Sequence, residues 1–387
     1  MKTVESALIP WVSVGIIARN EEHSIGTALE SLFRQTLFAE LEQRRLSAEI
    51  WCVANGCTDT TADVAGRIFE EQCLLHPQRH CFTACVLTVP EAGKINAWNL
   101  FVHQVSAPRA AYLILMDADI QFGHTATLWA LCQALEQHSH AHVSVGRPVK
   151  DIARKKHLTL GERVSLATSR MTQSAPAQLT GQLYCIRAET ARRIYLPGEL
   201  AACEDGFIKT LVCTDFLTKE SEPGRIVRAR HASHIFSAYV SAGEVLRNQK
   251  RQMIGQTYVH LLVDRFLPTL PPQDRAGLGR AIRRLDEQSP GWLRRLMDEH
   301  LRRTRRFWRL FPDALVFRFR RLAPMPVAKK ILHFPAALAG EAVTLAACWL
   351  ALRSLRRGHR ACWPDKKPPS RKPAEGPVNV PRPAMPG

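Results

Sequence analysis

Four short apolar runs, each followed by a polar residue and a helical pattern, constrain the fold more than any other feature. Residues 11–18 (WVSVGIIA), 49–54 (EIWCVA), 81–89 (CFTACVLTV) and 111–116 (AYLILM) have strand length. The polar residues that follow them are Asn20, Asn55, Lys94 and Asp117. Between the runs, Ile25, Leu29, Leu32 and Phe33 recur at helical spacing, as do Val64, Ile68 and Phe69, and residues 95–105 read as a third helix. This alternation predicts an α/β domain with a mostly parallel central sheet flanked by helices. In such sheets the ligand crevice lies outside the carboxyl ends of the strands. The four runs therefore aim their polar termini at one rim.

Past residue 150 the pattern loosens. Residues 158–174 read as a polar helix, 181–187 (GQLYCIR) as a strand, 206–212 as a helix opened by Glu204-Asp205, 226–231 as a strand and 244–262 as a helix. No internal repeat is found.

Several short motifs sit on this frame. Asp117-Ala118-Asp119 leaves a buried strand with two carboxylates at i and i+2, which can share one side of the chain. Such oxygens suit a divalent cation that keeps positions for phosphate; a plain polar strand end is the alternative. Asn55-Gly56-Cys57-Thr58-Asp59-Thr60-Thr61 is a tight turn entering a helix, with Thr58 or Asp59 as caps. Lys94 opens a helix against its dipole, which points to a nearby anion. The Walker A pattern is missing there. Glu204-Asp205 reads as simple capping, or as a source of a base for an acceptor hydroxyl if Asp205 faces the crevice.

The ordered set A-R-N-E-E, A-N-G-C-T-D-T-T, G-K-I-N-A-W-N, D-A-D, G-Q-L-Y-C-I-R and E-D resembles the family 2 glycosyltransferases with a GT-A fold, over about residues 11–260. The resemblance implies a Rossmann-like catalytic domain with a nucleotide-sugar half (about 1–120) and an acceptor half (about 121–260). It implies Asn20, Glu21 and Asn55 near the nucleotide, Lys94 near the nucleotide or sugar, and Gln182 in the substrate site. Asp117 and Asp119 would hold Mg²⁺ or Mn²⁺ against the diphosphate, with His231 or His234 either completing the metal shell or serving structure. Asp205 would be the catalytic base, with Glu204 its neighbour. The implied reaction is inverting transfer of a sugar from a nucleoside-diphosphate sugar to a hydroxyl on a glycan or lipid-linked acceptor. Asn55 stands where many relatives carry an acid. The Q-x-x-R-W signature of processive synthases is absent; residues 247–252 (RNQKRQ) stand there, which argues for non-processive transfer and leaves Arg251 to reach the diphosphate.

Charge separates the remainder of the chain. Of 53 Lys+Arg and 35 Asp+Glu, residues 261–387 hold 26 and 10, a net of +16, while residues 1–260 are close to neutral. A basic appendage implies an anionic partner. The Trp/Phe/Arg pattern around 292–311 fits a peripheral contact with anionic lipid, or else a helical subdomain packed beside the catalytic core. Residues 331–352 form an Ala-rich apolar stretch interrupted by Pro335 and Glu341, read as a surface-lying or internally packed helix rather than a span. Residues 261–360 are thus expected to be a basic helical C-terminal extension. The tail from Pro364, with eight prolines in 24 residues, reads as disordered. A nucleic-acid partner is not expected, because neither stacking aromatics nor a helix-turn-helix is evident. A nucleotidyltransferase would want a Gly-rich loop that residues 11–22 lack. A non-catalytic nucleotide-sugar binder is disfavoured by the acids at 117, 119 and 205. The eleven cysteines show no C-x-x-C and no zinc spacing. With no apolar leader in the first ten residues, the expectation is a cytoplasmic protein with reduced thiols.

Overall fold

The computed structural model describes residues 9–155, 157–159, 162, 166, 178–200, 202–239, 241–304, 306–312, 322–323 and 326–358. The polar helix expected at 158–174 and the proline-rich tail lie largely or wholly outside the described residues.

Eight strands form one sheet in the order β3-β2-β1-β4-β7-β6-β8-β5. They are β1 (Pro10–Ala18), β2 (Ser47–Asn55), β3 (Phe82–Val89), β4 (Tyr112–Asp117), β5 (Gln121–Phe122), β6 (Val143–Lys150), β7 (Leu183–Arg187) and β8 (Ile226–Phe236). All four apolar runs are strands, and they pair in parallel: β1 with β2 and β4, and β2 with β3. The second half is mixed. β7 runs antiparallel to both β4 and β6, β8 is parallel to β6, and β5 is antiparallel to β8.

Helices cover both faces. α1 (Ile25–Phe33), α2 (Leu37–Arg44), α3 (Thr61–Leu75), α4 (Lys94–Leu100), α5 (Thr127–Gln137), α6 (Ala188–Arg193), α7 (Glu204–Cys213) and α8 (Ala242–His260) belong to the sheet region. α9 (Leu278–Gln288), α10 (Trp292–Arg303) and α11 (Val327–Arg356) follow. Strand alternation sorts side chains between two cores. Val12, Val14 and Ile16 of β1, Ile114 and Met116 of β4, and Leu183 and Cys185 of β7 pack with Leu29, Phe69 and Leu131 on one face. Ile17, Leu113, Leu115, Tyr184 and Ile186 pack with Trp98, Phe101 and Phe207 on the other.

The later helices share that second core. Leu278, Ile282, Trp292 and Leu293 belong to it. A third cluster joins Ile254 and Leu261 to Met297, Leu310, Phe311, Cys348, Ala351 and Leu355, so one side of α11 lies against α8 and α10. Of the aromatic and apolar residues at 292–311, Trp292, Leu310 and Phe311 are 4–6% exposed and so are packed inside the protein. Their apolar surface is already removed from water by neighbouring helices. α11 continues through Pro335 without a break, and among the described residues no helix is long and apolar enough to cross a membrane. The ten described cysteines are free thiols.

Candidate active site

The rim is stitched together before any ligand is considered. Asn20 takes a left-handed backbone (φ 50°), and its Oδ1 accepts from the Thr58 backbone N–H at 2.8 Å. The Thr61 hydroxyl accepts from the Glu21 N–H at 2.8 Å, and the buried Glu21 carboxylate accepts from the Ser24 hydroxyl. The Glu22 carboxylate accepts from the Thr60 hydroxyl and N–H, and those bonds hold it below the usual carboxylate range. The loops after β1 and β2 therefore form one unit.

Asn55 is a brace within that unit. It is fully buried; its amide nitrogen donates to the Ala18 carbonyl at 2.8 Å, and its Oδ1 accepts from the Gly93 N–H at 2.9 Å. An aspartate could accept the second bond but could not donate the first. This gives a physical reason for an amide here.

At the centre, the Lys94 ammonium lies 2.7 Å from Asp117 Oδ1 and 2.9 Å from Glu204 Oε1, and donates to the Gly181 carbonyl at 3.1 Å. An ammonium has three donors, and these contacts can use all of them. The three side chains are 12–20% exposed. Burial opposes the ammonium, but the two carboxylates outweigh it and hold Lys94 protonated. Burial pushes the Asp117 carboxyl up against the pull of Lys94, with the charge of Asp119 adding to the rise. For Glu204 burial also acts upward, yet Lys94 and, from α8, Arg251 leave it below its ordinary range. Gly181 is where backbone and cluster meet. A β-carbon there would come 2.8 Å from Glu204 Oε1 and 3.4 Å from Lys94 Nζ.

Asp205 is the next residue on α7. Its Oδ1 accepts from the Gly206 N–H at 2.8 Å and its Oδ2 from the Gly181 N–H at 3.3 Å. Burial, then the negative charge of Glu204, raise it to about 6. Cys203, just before α7, is left-handed (φ 62°), and that turn delivers Glu204 and Asp205 together.

A second group lies across β4 and β8. His234 is fully buried; its Nε2 is 3.2 Å from Gln182 Oε1, and its Nδ1 has no partner among the described residues. Burial lowers His234 to about 4, with the charge of Asp119 acting the other way. The Gln182 carbonyl accepts from the Asp117 N–H, which ties this group to the first. His231 is exposed at a left-handed position and turns its ring to His124.

The structure thus brings Lys94, Asp117, Glu204, Asp205 and Arg251 into one electrostatic unit, with Gln182, His234 and Asp119 beside it. Asn20, Glu21 and Asn55 build the loops that frame it. Among the described residues no three His, Cys, Asp or Glu side chains are already gathered as a metal cage. The carboxylates of Asp117 and Asp119 have the chemistry that suits a hard divalent cation keeping positions for phosphate oxygens, and the unpartnered Nδ1 of buried His234 lies within the field of Asp119. Sequence reasoning did not single out Gly181, whose carbonyl and missing side chain both serve the cluster. The Gly at the start of a strand-like run was its only signal.

Residues 13–184 match the family model described as Glycosyl transferase family 2. No curated protein matches the chain. Among solved structures, S. aureus TarS 1–349 superposes with a TM-score of 0.44 at 16% identity, covering 90% of this chain and 92% of that one. The same protein with UDP-GlcNAc gives 0.43 over the same shares at 16% identity. Glucosyl-3-phosphoglycerate synthase from Mycobacterium tuberculosis, in complex with Mn²⁺, UDP-glucose and phosphoglyceric acid, gives 0.42 at 15% identity, covering 65% of this chain and 79% of that one. Residues 13–184, which carry the loops after β1 and β2, Lys94 and Asp117, match glycosyl transferase family 2, and the chain is a glycosyltransferase by that match.

Proposed function

We propose that this glycosyltransferase moves a sugar from a nucleoside-diphosphate sugar to an acceptor hydroxyl with inversion, one sugar per encounter, and that Asp205 is its base. The observation that carries this is a carboxyl raised to about 6 beside a buried Lys94–Asp117–Glu204 cluster. A base of that strength is mostly ionised at neutral pH and still takes up a proton readily. It removes the acceptor proton as the acceptor oxygen bonds to the anomeric carbon. The bond from that carbon to the diphosphate oxygen breaks on the opposite face, and its electron pair leaves with the diphosphate.

The other residues serve that step. Lys94 is a positioning residue: with its donors spent on Asp117, Glu204 and Gly181, it fixes Glu204, whose charge raises Asp205. Arg251, which acts on Glu204 from α8, is the cation this reading assigns to the diphosphate. Asn20 and Glu21 shape the nucleotide side of the rim, and Asn55 sets the height of the Gly93 loop that carries Lys94. Asp117 and Asp119, with His234, would hold a divalent cation (Mg²⁺ or Mn²⁺), and the chemistry it supplies there is neutralisation of charge on the leaving diphosphate. The acceptor class that fits the reading is a glycan or lipid-linked hydroxyl.

The test is Asp205→Asn, assayed for transfer and for donor binding across UDP-, GDP- and dTDP-sugars. Binding should stay within about threefold and transfer should fall by roughly 10²–10⁴. Transfer at the wild-type rate removes Asp205 from the mechanism.

A further inference from the structure

α11 has two unlike sides. One side packs Ala347, Cys348, Ala351 and Leu355 against the protein. The other carries Val327, Leu338, Leu345 and Trp349, between 36% and 70% exposed, with Phe334, also half exposed, on the same line. At 3.6 residues per turn these positions fall within about 60° of one another. Ala342 and Ala346 are exposed beside them. The result is an apolar stripe about six turns long, whereas scattered single apolar side chains are the ordinary surface condition.

The charges around the stripe say what it fits. Arg353 and Arg356 continue its line toward the C-terminal end, both exposed, with Arg357 next to them. The Arg353 guanidinium lies 5.6 Å from the Trp349 ring centroid. Lys330 stands near the other end. Glu341, the helix's one acid, is buried. An exposed apolar line with a tryptophan, cations at its ends and no exposed acid suits contact with the headgroup region of an anionic bilayer. Residues 261–387 have a net charge of +16. That charge favours an anionic surface and opposes pairing with a second copy of this basic region. The side that carries Ala347, Cys348, Ala351 and Leu355 fixes the C-terminal part of the helix to the fold, so the stripe faces outward there.

We propose that this face of α11 docks the protein on anionic lipid, lying in the interface without crossing it. The proposal stands apart from the catalytic reading, because it concerns binding through residues outside the site.

The test uses the full-length protein and flotation with vesicles of phosphatidylcholine, alone or mixed with phosphatidylglycerol. The protein should float with the mixed vesicles, less so as salt rises, and stay at the bottom with phosphatidylcholine alone. Leu338→Asp/Leu345→Asp should abolish flotation while circular dichroism and melting stay as in the wild type. Arg353→Gln and Arg356→Gln should each weaken it about fivefold. Absence of flotation overturns the proposal, as does equal flotation of the double variant. A dimer in sedimentation that the double variant dissolves would assign the stripe to a second copy and likewise overturn it.

Discussion

In the proposed mechanism Asp205 and Lys94 use burial in opposite ways. Asp205 is raised to about 6 by burial and the charge of Glu204, against roughly 3.9 in an unfolded chain. The base form therefore predominates only above about pH 6. Transfer, measured as kcat/KM, should rise about tenfold per pH unit below that value and level off above it; a flat profile from pH 5 to 8 would refute the assignment. The same shift has a stability sign. The folded state binds this proton more tightly than the unfolded state, so stability falls as pH rises from about 4 to about 6 and is level thereafter. Asp205→Asn removes that fall, and at pH 7.5 it should melt no lower than the wild type. Lys94 is the reverse case. Lys94→Met leaves the Asp117 and Glu204 carboxylates facing each other, partly buried, and should cost about 3–5 kcal/mol in urea unfolding. Adding Glu204→Gln should recover part of that loss; strict additivity would mean the two groups do not interact. The sequence placed Lys94 after a strand and near an anion. It could not show that the anions are the protein's own acids, because Glu204 lies 110 residues away and only the packing of α7 brings it in. For Asn55 the resemblance implied an acid in many relatives where this chain has an amide, and a reason for the amide lies in the Ala18 carbonyl, which no local pattern reveals.

β1, β2 and β4 are buried within the sheet and read as continuous apolar runs. β3 is an edge strand with Phe82 its one buried residue, and it was legible from its apolar, β-branched composition and the proline that stops it. β5 has two residues, and β6 carries Arg147 and Lys150 at its outer end, so neither run stands out from its surroundings. α2 and α5 also went unrecognised, although their apolar residues face the first core. The crossing of α8 over the turn before α7 was equally hidden, and it sets the geometry of Asp205, the proposed base. A β-carbon on Gly255 would come 2.6 Å from the Ala202 carbonyl oxygen and 2.8 Å from Cys203 Sγ. Two backbones meet there with no room for a side chain. Gly255→Ala should push α8 away from the turn that aims Glu204 and Asp205 and move Arg251 with it. The expected cost is about 1–3 kcal/mol in stability and a fall of roughly tenfold or more in kcat. A variant that melts lower but turns over normally would show that the close approach serves packing alone.

At the scale of the whole molecule, the basic C-terminal region joins the catalytic sheet instead of standing beside it. Its charge was plain in the composition, but its attachment was not. α11 is apolar around much of its circumference, so periodicity selects no face, and only packing shows which side is covered. Ile254 of α8 and Leu261 just beyond its end meet Cys348, Ala351 and Leu355 of α11, while α8 also carries Arg251 toward Glu204. The same helix thus supports the site with one side and offers the other to solvent. Two substitutions of identical chemistry should therefore diverge. Ala351→Asp places an unpaired charge at a fully buried position and should cost at least about 3 kcal/mol, loosen α8 and lower transfer to a soluble acceptor. Leu345→Asp, six residues earlier on the exposed side, should change melting by less than about 0.5 kcal/mol and leave that transfer intact. Thermal melts and a soluble-acceptor assay on both variants decide the matter. Equal effects would mean that α11 does not pack on α8 in this orientation, and the support it lends to Arg251 would fall with it.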